Sequence, residues 1–255
     1  RKIADAAEIG PDSGVLEIGP GIGALTEKLA ERAGRVVAVE IDQRLLPILA
    51  ESLAGYPNVD ILHGEALRID LHALIRDKFE GFRNDSVAAN LPYYITTPII
   101  MRLLEERLPL TNIVVMVQRE VADRLKAAPG GKDYGSLSVA AQYYTEPEWV
   151  ANVPRNVFIP PPNVDSAVLR LRVREKPAVA ARDEALFFDV VRAAFAQRRK
   201  TMLNNLQQLP AAKPLGKEGL RRLIESSGIA PERRGETLTL DEFAALSDAL
   251  AALRD

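Results

Sequence analysis

The sequence predicts an α/β protein: a mostly parallel sheet followed by a small all-helical domain. Three features predict it. Short apolar, β-branched runs alternate with helically spaced ones through the first two thirds, a glycine-rich stretch separates the first strand from the first helix, and beyond Asp183 only helical patterns remain. Near-continuous apolar strands interleaved with helices mark a sheet covered on both faces.

The elements follow in order. GVLEI (14–18), RVVAV (35–39), VDIL (59–62), SVAA (86–89) and NIVVMVQ (112–118) read as strands. Between them, 24–33, 43–54 and 97–107 carry helical spacing of apolar residues. After Gln118 the pattern loosens: 136–144 reads as a helix, 148–153 and 166–173 as late strands. The intervening FIPPPNVDS (158–166) cannot join a ladder, because three consecutive prolines remove three donors. Helical patterns at 183–196, 199–208, 217–227 and 239–253 complete the chain. These limits give a first domain over 1–174, a linker over 175–182 and a helical domain over 183–255.

The 255 residues contain no cysteine, which excludes disulfides, zinc thiolate sites and cysteine nucleophiles and suits a reducing cytoplasm. No run is long and apolar enough to span a bilayer, and no signal-peptide pattern opens the chain. Its first residues, RKIADAAEIG, lack a Met, as expected of a fragment. Net charge is −2, divided as −3 over 1–174 and +1 over 175–255, so any nucleic-acid contact rests on local clusters rather than a global field.

LEIGPGIGALT (16–26) joins the first strand to the first helix. Gly19, Gly21 and Ala24 satisfy the G-x-G-x-x-G/A pattern, whose glycines let the backbone turn sharply and approach a ligand. On these residues alone a ligand-free turn and an NAD site both stay open. Glu40 ends the second strand, 21 residues after Gly19, where a carboxylate can accept from both ribose hydroxyls; the alternative, a solvated acid at a strand end, is disfavoured by the paired glycine loop. Glu65, after the third strand, suits either the amino group of a cofactor adenine or a helix start favoured by the dipole. His63 and His72 are not spaced as metal ligands, and no metal is expected.

AANLPYYITTP (88–98) ends the fourth strand, which borders the first in a doubly wound sheet. An exocyclic adenine amine is a poor nucleophile, because its lone pair is delocalised into the ring. Acceptors on its two N–H bonds pull the nitrogen toward tetrahedral geometry and aim that lone pair. Asn90 Oδ1 and the Leu91 carbonyl suit the task, Pro92 stiffens the carbonyl, and Tyr93 offers a stacking face. A proline turn with half-buried tyrosines is the alternative, and Tyr94 has no assigned role.

Taken together, VLEIGPGIGALT, VAVEID, ANLPYYITTPII, QREVADRL, YGSLSVAAQYY, VFIPPPNVDSAV and FAQRRKTMLNNL resemble, in that order and across nearly the whole chain, the small-subunit ribosomal RNA adenine N6,N6-dimethyltransferases of KsgA type. The resemblance implies a Rossmann-like methyltransferase domain using S-adenosyl-L-methionine, with dimethylation of two adjacent adenosines near the 3′ end of small-subunit RNA. It implies cofactor contacts at Glu17, Gly19, Gly21, Glu40, Ile41, Glu65, Ala66 and Asn90, and base handling by Asn90, Leu91, Pro92, Tyr93 and Phe158. Taken singly, Phe158 also reads as core. The family usually has Asp where this chain has Glu65, and its N-terminal G-Q-N-F-L arm precedes the point where this sequence begins. A chain without that arm is expected to bind cofactor weakly and methylate poorly.

QRRKT (197–201) lies between two predicted helices, and with the resemblance Arg198, Arg199 and Lys200 read as RNA contacts. Arg221, Arg222, Arg233 and Arg234 read equally as solvated helix faces. The expected partner is small-subunit RNA in a pre-subunit particle, bound by a cytoplasmic monomer without membrane contact. Two competitors remain: a large-subunit RNA methyltransferase of the macrolide-resistance type, and an assembly factor whose methylation is weak or lost.

Overall fold

A computed structural model describes residues 2–253. They form two compact units: residues up to Ala122 with Thr145–Arg174, and Asp123–Tyr144 with residues from Glu175 onward.

The first unit is built on a seven-stranded sheet, β1 (Gly14–Ile18), β2 (Arg35–Glu40), β3 (Val59–His63), β4 (Ser86–Asn90), β5 (Asn112–Gln118), β6 (Thr145–Val153) and β7 (Ser166–Val173), in the order β3-β2-β1-β4-β5-β7-β6. Strands β1 to β5 run parallel, while β7 is antiparallel to both neighbours. Every residue of β1, and the first four of β4, is buried, as the unbroken apolar runs required. The edge strand β6 is instead half-buried or exposed after Thr145, carries Pro147, and shifts register between Trp149 and Ala151, which blunts it against further pairing.

The sheet reverses its winding between β1 and β4, whose carboxyl ends lie side by side with Ile18 opposite Ala89. Ligands of open α/β sheets bind at such a crevice. The glycine turn after Ile18 and the NLPYY turn after Ala89 are therefore neighbours by topology.

Helices α1 (Lys2–Ala6), α2 (Ala24–Ala30), α3 (Leu46–Ser52), α4 (Leu71–Lys78) and α5 (Thr96–Glu105) lie among these strands, and α6 (Arg119–Lys126) follows β5 and runs from the first unit into the second. The pattern expected over 43–54 begins as a 3-10 turn at Gln43–Leu45 and becomes α-helical at Leu46, with Pro47 in the first turn, where its missing N–H costs nothing. Neither α1 nor α4 was expected. The first has five residues, yet Ile3, Ala4, Ala6 and Ala7 pack into the core with Val15, Leu29 and Val36. The second buries only Leu71 and Ile75, and Asp70 caps it by accepting from Ala73 N at 2.8 Å.

The second unit corrects the expected domain limits. Residues 123–144, read from sequence as part of the first domain, count with the C-terminal helices. The reason is aromatic packing. On α7 (Ser136–Tyr144), Tyr143 meets Phe187 and Phe188 of α8 (Glu184–Ala196) at ring centroid distances of 4.9 and 5.1 Å, and Tyr144 stacks on Phe188 at 5.5 Å. Both hydroxyls donate to Glu184, at 3.0 and 2.7 Å. The remaining helices are α9 (Met202–Leu206), α10 (Gly216–Ser226) and α11 (Leu240–Ala251). Helix α9 is shorter than the expected 199–208, because Thr201 caps it from outside. Helix α11 opens with a reciprocal capping box between Thr239 and Glu242.

Candidate active site

The glycine turn begins where β1 ends. Gly19 and Gly21 sit at φ +68° and +60°, in the left-handed region, and a methyl group added to either would meet no atom within 4 Å. The turn thus offers its backbone to open space. It is fixed from below, since Gly19 N donates to the Val39 carbonyl at 3.0 Å and Gly21 N to Glu40 Oε2 at 3.2 Å. Glu40 Oε1 accepts from Asp42 N at 2.9 Å, so one buried carboxylate ties the turn to the end of β2. Ile41, the next residue, is exposed.

Glu17 lies in β1, 1% exposed, and its Oε2 has no hydrogen-bond partner among the described residues. Burial pushes its carboxyl up to about 7; the Thr26 hydroxyl offsets part of the rise, and Glu40 adds to it. Between the ordinary carboxylate range and pH 7 the folded chain therefore holds a proton that the unfolded chain has lost, and stability falls as pH rises. A Glu17→Gln protein is expected to gain on the parent by up to about 3 kcal/mol at pH 8 relative to pH 4.5. Paired denaturant melts at the two pH values check it; a gap independent of pH would contradict it.

A buried carboxyl oxygen without a donor, a second carboxylate under an open glycine turn, and an exposed apolar side chain beside it fit a ligand with ammonium, ribose and adenine parts. S-adenosyl-L-methionine has all three.

Glu65 is not at a helix start, for after β3 the next helix begins only at Leu71. Its carboxylate pairs with Arg68 at 2.8 Å, and its carbonyl accepts from Arg68 N and Ile69 N in a tight turn. Arg102, on α5, grips that turn by donating to the Ala66 and Ile69 carbonyls, each at 2.6 Å, while Glu106 neutralises it. The sequence reading had passed over Arg102. His63 Nε2 lies 3.1 Å from the Ile41 carbonyl and His72 Nε2 2.8 Å from that of Glu106, both at the surface.

Asn90, Leu91, Pro92, Tyr93 and Phe158 converge with Pro160 and Pro162 on one cavity of about 350 Å³, within the range of small-molecule sites. The Asn90 side chain is exposed, whereas that of Leu91 is buried and only its backbone is on offer. The Pro92 carbonyl accepts from Ile95 N at 3.2 Å and from the Thr96 hydroxyl at 2.9 Å, which locks the turn. The Tyr93 hydroxyl hydrogen-bonds Ser166 Oγ at 2.8 Å, tying its ring to the start of β7. Ser166 and Thr96 also escaped the sequence reading. Thr96 was within reach, four residues after Pro92 and on the same helical face.

Among the RNA candidates, Arg198 is engaged within its own unit, donating to the Lys132 and Tyr134 carbonyls and facing Glu236 at 3.4 Å. Arg199 and Lys200 are exposed. Arg221 pairs with Glu232 at 2.8 Å, and Arg233 with Glu242, so neither is a free cation.

A parallel sheet whose last-placed strand pair brings one antiparallel member between β5 and the edge, with an acid-anchored glycine turn at its crevice, is the architecture of Rossmann-like methyltransferases that use S-adenosyl-L-methionine. The comparisons then narrow the class. A family model described as ribosomal RNA adenine dimethylase matches residues 1–251, and the chain belongs to that family. It is 61% identical over 251 residues to the ribosomal RNA small subunit methyltransferase A of Geobacillus sp. (strain WCH70), covering 98% of this chain and 86% of that one. Against the protein of the same name from Geobacillus thermodenitrificans (strain NG80-2) it is 62% identical over 254 residues, covering 99% and 86%. Among solved structures, a dimethyladenosine transferase from Plasmodium falciparum superposes with a TM-score of 0.80 at 27% identity, covering 96% of this chain and 92% of that one. The 23S rRNA methyltransferase ErmE superposes with a TM-score of 0.71 at 28% identity, covering 98% and 96%.

Proposed function

We propose that the protein transfers methyl groups from S-adenosyl-L-methionine to the N6 amines of two adjacent adenosines near the 3′ end of small-subunit ribosomal RNA. The observation that carries this is the cavity beyond the end of β4 in which the amide of Asn90, the stiffened Leu91–Pro92 backbone and the rings of Tyr93 and Phe158 meet. When bound, the cofactor supplies an electrophilic methyl group. This chain's residues do the positioning. Asn90 Oδ1 and the Leu91 carbonyl, which accepts no hydrogen bond among the described residues, take the two N–H bonds of the amine and direct its lone pair. Tyr93, fixed through Ser166, and Phe158 hold the extruded base by its faces. No strong base is needed, because the methylated amine is acidic enough to release its proton to water.

Glu40, Ile41, Glu17 and the Gly19–Gly21 turn hold the cofactor, with Glu65 and Ala66 beside its adenine. Arg199 and Lys200 meet phosphates, and Arg198 shapes the surface that presents them. Identity of 61–62% to proteins named for the small subunit, against 28% to a 23S rRNA methyltransferase, supports the small-subunit substrate over the large-subunit one. A monomer acting in the cytoplasm on an incompletely assembled particle completes the reading; among the described residues no helix is long and apolar enough to cross a membrane.

Incubation with labelled S-adenosyl-L-methionine and either under-methylated small subunits or large-subunit RNA tests it. Label is expected in small-subunit adenosines. Label in large-subunit RNA alone would overturn the substrate, and particle binding without label would favour an assembly role.

A further inference from the structure

The turn that presents Asn90 also presents a ring the reaction does not use. The Ile95 N–H to Pro92 carbonyl bond closes four residues, with Tyr93 and Tyr94 at the centre. Tyr93 is pinned by Ser166 and lines the cavity. Tyr94 is 86% exposed, and among the described residues its hydroxyl bonds to nothing. On the loop that supplies the other lining residues, Ile159 is fully exposed between Phe158 and Pro160, and Val157 is exposed beside them. Flexibility does not account for this display of apolar surface at Tyr94, since the Pro92 carbonyl is held twice and the turn feeds directly into α5.

Exposed apolar side chains flanking a concave site mark a surface made for a ligand larger than the site. The charge beside them indicates which kind. Arg155, on the same loop as Phe158 and Ile159, is exposed and held in place by donating to the Asn163 carbonyl at 3.2 Å. A guanidinium fixed on the loop that also carries Phe158 and Ile159 supplies, with those faces, the combination that tracks single-stranded nucleic acid, one part for phosphate and one for the bases.

We propose that Tyr94, with Ile159, forms a stacking platform at the mouth of the cavity for the nucleotide adjoining the target adenosine. This rests on the adenine-methylating reading above. A target base drawn into the cavity leaves its neighbour one phosphodiester away, unstacked on one side. Tyr94 supplies the missing partner, so the extruded state costs less and the strand is held in register. Tyr94 is a positioning residue here; it touches neither the reacting amine nor the cofactor.

The test compares wild type with Tyr94→Ala, Tyr94→Phe and Tyr94→Trp on under-methylated small subunits, measuring KM and kcat separately. A second substrate carries an abasic residue beside the target adenosine. Tyr94→Ala is expected to raise KM for intact subunits about 10- to 100-fold with kcat and cofactor affinity retained, while Phe and Trp stay near wild type. On the abasic substrate the Ala and wild-type proteins are expected to converge, which loss of a merely structural contact would not produce. An unchanged KM for Tyr94→Ala, a Phe variant as weak as Ala, or a penalty that persists on the abasic substrate would each overturn the platform. Absence of label with wild type itself would overturn the activity reading, and the platform with it.

Discussion

An Asn90→Ala protein is expected to fold normally yet transfer methyl groups about 10²- to 10³-fold more slowly, with cofactor affinity changed far less than rate. Folding is spared because the side chain is exposed and no described hydrogen bond depends on it. The rate falls because the amide acts only when the amine begins to develop tetrahedral character. An acceptor placed for that moment stabilises the transition state more than bound substrate, so its loss appears in kcat rather than KM. Single-turnover transfer to small subunits at saturating cofactor checks it. A fall of less than about tenfold would mean that backbone geometry, not the amide, directs the lone pair.

A Glu40→Ala protein is expected to lose both cofactor affinity and stability. The carboxylate already accepts from Gly21 N and Asp42 N, so its removal leaves two N–H groups without their charged partner. Hydrogen bonds to charged groups contribute about 1.5–3 kcal/mol each, and the ribose contacts proposed for the same oxygens are of that kind. The loss of two such contacts predicts a cofactor Kd raised by roughly 10²- to 10⁴-fold, together with a lower melting temperature. Calorimetric titration beside thermal melts separates the effects. A Glu40→Gln protein keeps one acceptor and is expected to lie between. Equal affinity for Glu40→Ala and wild type would place the ribose elsewhere.

The sheet was legible because its central strands are buried on both faces, and total burial writes itself into sequence as unbroken apolar runs. Helices α1 and α4 were not, because five residues and two buried side chains are too little for a period to show. Residues 123–144 were assigned to the wrong unit for a different reason. Local pattern shows that YGSLSVAAQYY is helical and apolar, but only packing shows that its tyrosines face Phe187 and Phe188. Within the site, residues announced by special backbone chemistry were readable, the glycines and the Asn-Leu-Pro-Tyr run among them. Supporting residues such as Ser166 and Arg102 were not, because a serine on a strand or an arginine on a helix has no signature until its partner is known.

Helix α5 has a duty beyond covering the sheet. Its first residue, Thr96, fastens the Pro92 carbonyl of the turn proposed to grip the base, and Arg102, nearly two turns along, fastens the Ala66–Ile69 turn proposed to flank the cofactor. One rigid rod is thus clipped at two points to the loops that bring methyl donor and acceptor together. Insertion of a single residue between the clips would swing one by about 100° relative to the other. The segment from Thr96 to Arg102 therefore works as a spacer bar, whose length sets the position of one clip against the other.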